Sequence, residues 1–290
     1  MPINELYHNW MQRICEQRPN QRITQVRNFV WLMIGIYESR SVHLSKIAGK
    51  IPGRAKLVSA TRRLSRFLDN PAIRVREWYE PVAQQWLSTQ WSCLGEIRLI
   101  VDGTKVGFGH QLLMVCLAYR NRAIPIACLR QYRRYRWTWV KQVRGHSGAG
   151  KQLALLNYVR TLLPLGAVVL LVGDCEFGAV ETLKWLDQWH WYYVLRQKAD
   201  TCLWFNHQNK WKPFGSFADK AGESHWLGHG CLTARNIYPT QLLIHWQVGE
   251  DEPWCLPKDI GTMWPPTCLI VKWPCATTAA ERGSKKCSAT

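Results

Sequence analysis

The apolar positions of this chain change period along its length, and each change marks a boundary. In ELYHNWMQRICEQ and TQVRNFVWLMIGIYES they recur at three- and four-residue spacing, which predicts two amphipathic helices. Two shorter helical stretches follow, VHLSKIAGKI and AKLVSATRRLSRFLDN. Between them stand Pro52, Gly53 and Arg54, where Pro and Gly close one helix and open a turn. Residues 1–92 are therefore expected to form an all-helical domain. From Glu96 the pattern becomes strand-like: IRLIVDGTKV and QLLMVCLAYRNRAIPIACLRQY are rich in branched and aromatic residues and broken by turn formers. A helix (KQLALLNYVRTLLP), an apolar strand (AVVLLVGD), a helix (AVETLKWLDQW) and a strand (WYYVLRQK) complete residues 93–200. Strands alternating with helices predict an α/β layer around a partly parallel sheet. Residues 201–256, rich in Trp, His and Gly, have no long helical period and are expected to form a β-rich insertion. In residues 257–290 the periodicity is lost.

Charge adds a partner to this picture. The 290 residues hold 38 Lys and Arg against 20 Asp and Glu, a net charge of +18. The resulting positive field favours a polyanion, of which nucleic acid is the commonest. Two places concentrate the charge. Arg62, Arg63 and Arg66 lie on the second short helix, suited either to a helix-turn-helix grip on DNA or to the solvated face of a bundle. Arg133, Arg134 and Arg136 interleave with Tyr135, Trp137 and Trp139. That run suits phosphate contact and base stacking, or a charged strand edge that resists aggregation.

Other features exclude classes. The longest apolar run, Leu165 to Val172, is too short to span a bilayer, and the start MPINELYHNW is polar and amphipathic. A cytoplasmic location with no membrane partner is expected. Eleven cysteines, scattered and without a C-x-x-C pair, predict neither a zinc site nor a disulfide framework. His207, His225, His229 and His245 are too irregularly spaced for a metal site.

Candidate chemistry rests on two carboxylates. Asp102 and Asp174 each stand where an apolar strand ends, in LIVDGT and LLVGDCEFG. In open α/β sheets, ligands gather at the carboxyl ends of strands. Two carboxylates there can hold Mg²⁺, which keeps several waters and accepts phosphate oxygens, and paired ions promote phosphoryl transfer. Taken singly, each Asp also reads as a turn or cap residue. Glu176, two residues after Asp174, reads as an outward-facing turn residue.

IVDGTKV, then a buried strand ending VGDCEFG, then a strand containing YVLRQK, resembles the DDE transposases of bacterial insertion sequences, closest to the insertion-sequence-four group. The resemblance covers residues 20–260. It implies an RNase-H-like mixed sheet with helices, preceded by an all-helical DNA-binding domain and carrying a β-rich insertion. It further implies Asp102 and Asp174 as catalytic metal ligands for two Mg²⁺ or Mn²⁺ ions, and Arg196 beside the site against a DNA phosphate. The partners implied are double-stranded DNA (element ends and target) and a second copy of the chain in a homodimer on DNA, in a bacterial, nucleoid-associated setting. The reaction implied is hydrolysis at the element end, then joining of the 3′-hydroxyl to target DNA.

One departure stands out. The family's final Glu, in Y-x2-R-x3-E-x6-K, is missing; Glu281 is the only acidic residue after Asp259 and lacks the Tyr and Arg at the required spacing. The tail TMWPPTCLIVKWPCATTAAERGSKKCSAT is consistent with a displaced reading frame. Joining the third base of each codon to the first two of the next forces Val across Met263 and Trp264. It forces Ala across Trp264 and Pro265 and across Trp273 and Pro274. Lys285 with Lys286 allows only Glu or Lys, and Lys286 with Cys287 only Met or Val. The end can then be read Tyr-Tyr-x-Arg-Arg-Thr-Trp-Ile-Glu-Glu-Met-Phe-Gly-Asp. Its second Tyr falls across Thr277 and Thr278, its key Arg across Ala280 and Glu281, and its first Glu across Ser284 and Lys285. A frame change between Gly261 and Met263 is expected, with strand cleavage by this polypeptide impaired.

Two other readings compete. Gly145 to Lys151 fits G-x4-G-K with a helix after it, as a nucleotide-hydrolase phosphate loop would. Gln152, however, stands where Ser or Thr should reach Mg²⁺. A phosphate-touching loop near DNA would also use Lys151. The second competitor is a DNA-binding protein without catalysis, for which the basic helical N-terminus would suffice.

Overall fold

The helical period of the N-terminal stretch becomes α1 (Ile3–Gln17), α2 (Ile23–Ser39), α3 (Leu44–Ala48), α4 (Leu57–Leu68) and α5 (Val75–Leu94). The structure is a computed structural model that describes residues 2–53, 55–106, 110–129, 140–141, 147–205, 210–246, 248–249 and 254–258. The chain divides into two units, Met1–Val82 and Ala83–Thr290, with the boundary inside α5. In the first unit Val26, Val30 and Ile34 of α2 are fully buried with Phe67, Ile73 and Trp78, and Leu6, Trp10 and Ile14 of α1 pack onto them. A second cluster joins Ile47 and Ala48 of α3 to Ala60 and Leu64 of α4. These are the three- and four-residue spacings of the sequence, each turned to a shared core.

In the second unit, β1 (Ile97–Val106), β2 (His110–Tyr119) and β3 (Arg122–Leu129) form an antiparallel meander, and β4 (Val140–Lys141) pairs with β2. Then come α6 (Ala149–Leu162), β5 (Val169–Gly173), α7 (Val180–Gln188) and β6 (Tyr192–Leu195). β5 lies parallel to β1, and β6 parallel to β5, so the spatial order is β3-β2-β1-β5-β6. The mixed α/β layer expected from the pattern is present. α6 packs against β2 and β3, and α7 against β6. Alternation on β1 buries Ile97, Leu99 and Val101 on one face and leaves Arg98, Ile100 and Asp102 on the other.

The β-rich stretch contributes β7 (Cys202–Trp204), β8 (Lys212–Pro213), β9 (Ser224–Leu232), β10 (Tyr238–His245) and β11 (Trp254–Lys258). These strands extend the same sheet in the order β6-β11-β10-β9-β7-β8. The join is antiparallel, through Lys258 opposite Val194. A buried hydroxyl pair, Tyr193 and Tyr238 at 2.7 Å, fastens β10 to β6, and the Tyr238 hydroxyl also donates to Asp187 of α7. Burial and the Asp187 carboxylate drive the Tyr238 hydroxyl far above its ordinary pKa, so it remains a proton donor in this network.

Candidate active site on three neighbouring strands

The register of three neighbouring strands brings the candidate site together. Val101 of β1 pairs with Gly173 of β5, and Gly173 pairs with Leu195 of β6. One step further along each strand stand Asp102, Asp174 and Arg196. Neighbouring strands lie about 4.8 Å apart, and residues at one level of a parallel ladder share a face. The two carboxylates and the guanidinium therefore begin from adjacent backbone positions, where β5 and β6 end and β1 runs on beside β2. Asp174 keeps an extended backbone (φ −77°, ψ 175°), and the Arg196 amide donates to the Gly173 carbonyl at 3.1 Å, which carries the register past the strand ends.

Gly173 is what lets β5 sit between its neighbours. A Cβ there would come 2.7 Å from Val101 Cγ1 and 3.0 Å from Leu195 Cδ2, too close for any side chain. Gly178 does the same for the following turn, because a Cβ would strike the Gln197 side chain. That side chain instead donates from Nε2 to the Gly178 carbonyl at 3.0 Å. The glycines of VGDCEFG thus serve close approach around the second Asp.

Both carboxylates are exposed. Asp102 Oδ1 accepts the Gly103 amide at 2.7 Å, and Asp174 Oδ1 accepts the Cys175 amide at 2.6 Å. In each case the bond comes from the next residue along the chain. Asp174 caps the short turn after β5, so its cap reading and ligand reading coexist. Asp102 does not end a strand as expected: it lies within β1 opposite Met114, because pairing with β2 carries β1 on to Val106. Burial, then Asp102, then Cys128 push the Cys116 thiol up to about 11. Burial and Asp174 likewise raise Cys175, while Arg196 and Lys198 pull it down. Arg196 and Lys198 are therefore within electrostatic reach of the Asp174 turn. Lys198 is not legible as a site residue in the sequence, because a lysine three residues beyond a strand carries no motif.

Among the described residues, no three His, Cys, Asp or Glu side chains converge on a common metal position. Two carboxylates still suit a hard divalent ion, provided water and phosphate oxygens complete its shell.

The phosphate-loop spacing resolves differently. Glu176 Oε1 accepts both the amide and the hydroxyl of Ser147, each at 2.5 Å, directly before α6. A carboxylate thus occupies the place where an anion would meet the helix start. Gln152 is 1% exposed. Its Nε2 donates to Ser147 O at 3.0 Å, Ser147 Oγ at 3.1 Å and Glu176 O at 2.9 Å. Its Oε1 accepts the Thr182 hydroxyl at 3.3 Å. The Gln that spoils the nucleotide motif is the hub that ties α6 and α7 to the Asp174 turn. Lys151, on the first turn of α6, is half-buried.

The N-terminal arginines divide. Arg62 and Arg66 are exposed one helical turn apart on α4, whereas Arg63 is turned inward, with Nε buried and without a hydrogen-bond partner. α3 has 5 residues, and residues 49–56 separate it from α4, a longer link than the tight turn of a helix-turn-helix. Arg133, Arg134, Arg136 and Glu281 lie outside the described residues, as do His207 and the whole tail from residue 259. Of the other histidines, His245 Nδ1 pairs with Ser224 Oγ at 2.7 Å and His225 with Glu223 at 3.1 Å. No described helix is long and apolar enough to cross a membrane.

No family model matches the chain, and no curated protein matches it. Among solved structures it is similar to a piggyBac transposase in a synaptic complex with hairpin DNA, seen by cryo-EM. The identity is 15%, the TM-score 0.39, and the match covers 88% of this chain and 57% of that one. The chain thus spans little more than half of that transposase, and a likeness this distant carries no argument about function.

Proposed function

We propose that this chain is a transposase-type DNA strand transferase of the DDE class, in which Asp102 and Asp174 hold divalent cations against a DNA phosphate. The single observation that supports this reading is the register that sets Asp102, Asp174 and Arg196 at one level of three adjacent strands. The order β3-β2-β1-β5-β6, with an antiparallel meander followed by two parallel strands, is compatible with an RNase-H-like core.

Each residue then has a defined part. Asp102, within β1, and Asp174, directly after β5, supply hard oxygen ligands from adjacent strands, for Mg²⁺ or Mn²⁺. Bound there, such ions would activate the attacking oxygen and stabilise the leaving one. Arg196, with Lys198 nearby, holds the phosphate in place as a charge-assisted donor. The Ser147–Gln152–Glu176 network fixes the turn that carries Asp174 and sets a carboxylate of the chain itself against Ser147, just before α6; Gly145 and His146 of the loop lie outside the described residues. Arg62 and Arg66 offer an exposed pair of cations to duplex DNA, and the net charge of +18 favours nonspecific attraction. A homodimer on DNA accords with the class but has no specific support among the described residues.

The 290 residues contain no Y-x2-R-x3-E-x6-K. The polypeptide is therefore expected to bind duplex DNA but to cut it poorly, since a carboxylate ligand is missing. Purified protein incubated with end-labelled duplex in Mg²⁺ or Mn²⁺ checks this. Strong cleavage that vanishes in Asp102→Asn would show that the third carboxylate is supplied. DNA binding with no divalent-ion affinity, unaltered by either Asp substitution, would leave a DNA-binding protein without a metal site.

A further inference from the structure

The hairpin end of the sheet holds a cavity that phosphoryl transfer does not use. Its volume is roughly 440 Å³, within the range of small-ligand sites. Ala118 and Ala123, a cross-strand pair, keep its floor open beside Ile100. α5 forms one wall with Trp86 and Gln90. Trp86 stands edge-on to Tyr119, with ring centroids 5.2 Å apart and planes at 69°.

Two observations point to a ligand. Gln90 lines the cavity at 5% exposure, and its side-chain amide makes no hydrogen bond to a described residue. Its amide is not sealed among protein atoms but opens to the cavity, where it can meet the polar edge of a ligand. The second is the mouth, where Arg120 and Arg122 are exposed. Arg120 and Asn121 adopt φ 44° and 62°, the two left-handed residues of a type I′ hairpin turn, and the Arg120 guanidinium lies 5.3 Å over Tyr119. Arg98 is spoken for by Glu96, to which its Nε donates at 2.7 Å.

We propose that this cavity binds a single nucleotide, with its base beside Trp86 and Tyr119, its edge on Gln90 and its phosphate between Arg120 and Arg122. Aromatic faces suit any base. A Gln amide pairs bidentately with the N6 and N7 edge of adenine, so adenine is favoured. The nucleotide comes either free from solution or as an unpaired residue of DNA. Arg98 and Asp102 lie on the same face of β1, four residues or about 13 Å apart, so an unpaired residue here would stand near the carboxylate row.

The test is calorimetric titration of the 290-residue protein with adenosine monophosphate, uridine monophosphate, inorganic phosphate, and duplex DNA with or without one unpaired adenosine. Adenosine monophosphate is expected to bind at least about tenfold more tightly than uridine monophosphate or phosphate. Gln90→Leu and Tyr119→Ala should each weaken it about tenfold. If either substitution unfolds the protein, Thr89→Trp, on the exposed rim of α5, should block entry instead. Preference for the bulged over the paired duplex, lost in Thr89→Trp, would assign the site to DNA; its absence, with mononucleotide binding intact, would assign it to a free nucleotide. No preference for adenine in either form, or binding unchanged by Gln90→Leu and Thr89→Trp, overturns the proposal. Asp102→Asn should leave this binding unaltered, which separates its fate from that of the metal reading.

Discussion

Two places in the second unit could each meet a phosphate, and they differ in what already fills them. Where β5 and β6 end beside β1, two carboxylates are exposed, each accepting a short hydrogen bond from the next amide along the chain. At the start of α6, the anion position is held by Glu176, and the residue in the metal-binding slot of the motif, Gln152, is buried in hydrogen bonds. The first place has valence turned outward; the second has turned all of it inward. A spacing motif specifies a loop that can receive an anion, but a carboxylate from the same chain can be that anion. Exposure and unused ligand capacity distinguish a site from a joint.

The comparison breaks most sharply at the aspartates. Asp102→Asn or Asp174→Asn should lower Mn²⁺ affinity, followed by electron paramagnetic resonance titration, by roughly 100-fold or more. Loss of an outer-shell partner alone costs about 10- to 100-fold, and a direct ligand should cost no less. Unchanged affinity in both variants would remove the metal site. Next comes the joint. Gln152→Ala strips the Ser147, Glu176 and Thr182 groups of their partner, and should lower stability in urea by about 2–3 kcal/mol with Mn²⁺ affinity altered only through the turn. Glu176→Gln keeps the shape but not the charge; a loss of about 1 kcal/mol is expected, with Mn²⁺ affinity retained. A large fall in Mn²⁺ affinity instead would make Glu176 a ligand and merge the two places. The smallest effect should come from Lys151→Ala, within about 0.5 kcal/mol in stability and with no change in a negligible ATP affinity. Measurable ATP binding lost in this variant would reopen the nucleotide reading.

Much of the fold was legible because period encodes burial. IRLIVDGTKV is β1 to the residue, and the helices around ITQVRNFVWLMIGIYES and KQLALLNYVRTL lie within a few residues of their patterns. Asp102 and Asp174 were legible for the same reason, since each ends an apolar run. The residues around them were not. Gln152, Glu176, Ser147 and Thr182 are separated by up to 35 positions and have no shared period, so only folding could show them as one network. The split among Arg62, Arg63 and Arg66 was hidden in a basic run, because charge alone does not say which side of a helix meets a core.

Local pattern by itself determined the elements, their order, and the aspartates that follow apolar runs, because hydrophobic burial acts at fixed spacings along the chain. Tertiary structure alone decided that β5 pairs parallel with β1 in the register that aligns Asp102 with Asp174, and that the β-rich stretch continues the sheet beyond β6. Strand pairing joins residues tens of positions apart through backbone hydrogen bonds that every sequence can make. Which partner is chosen depends on packing above and below the sheet, such as Gly173 yielding space to Val101, Leu195 and Phe177.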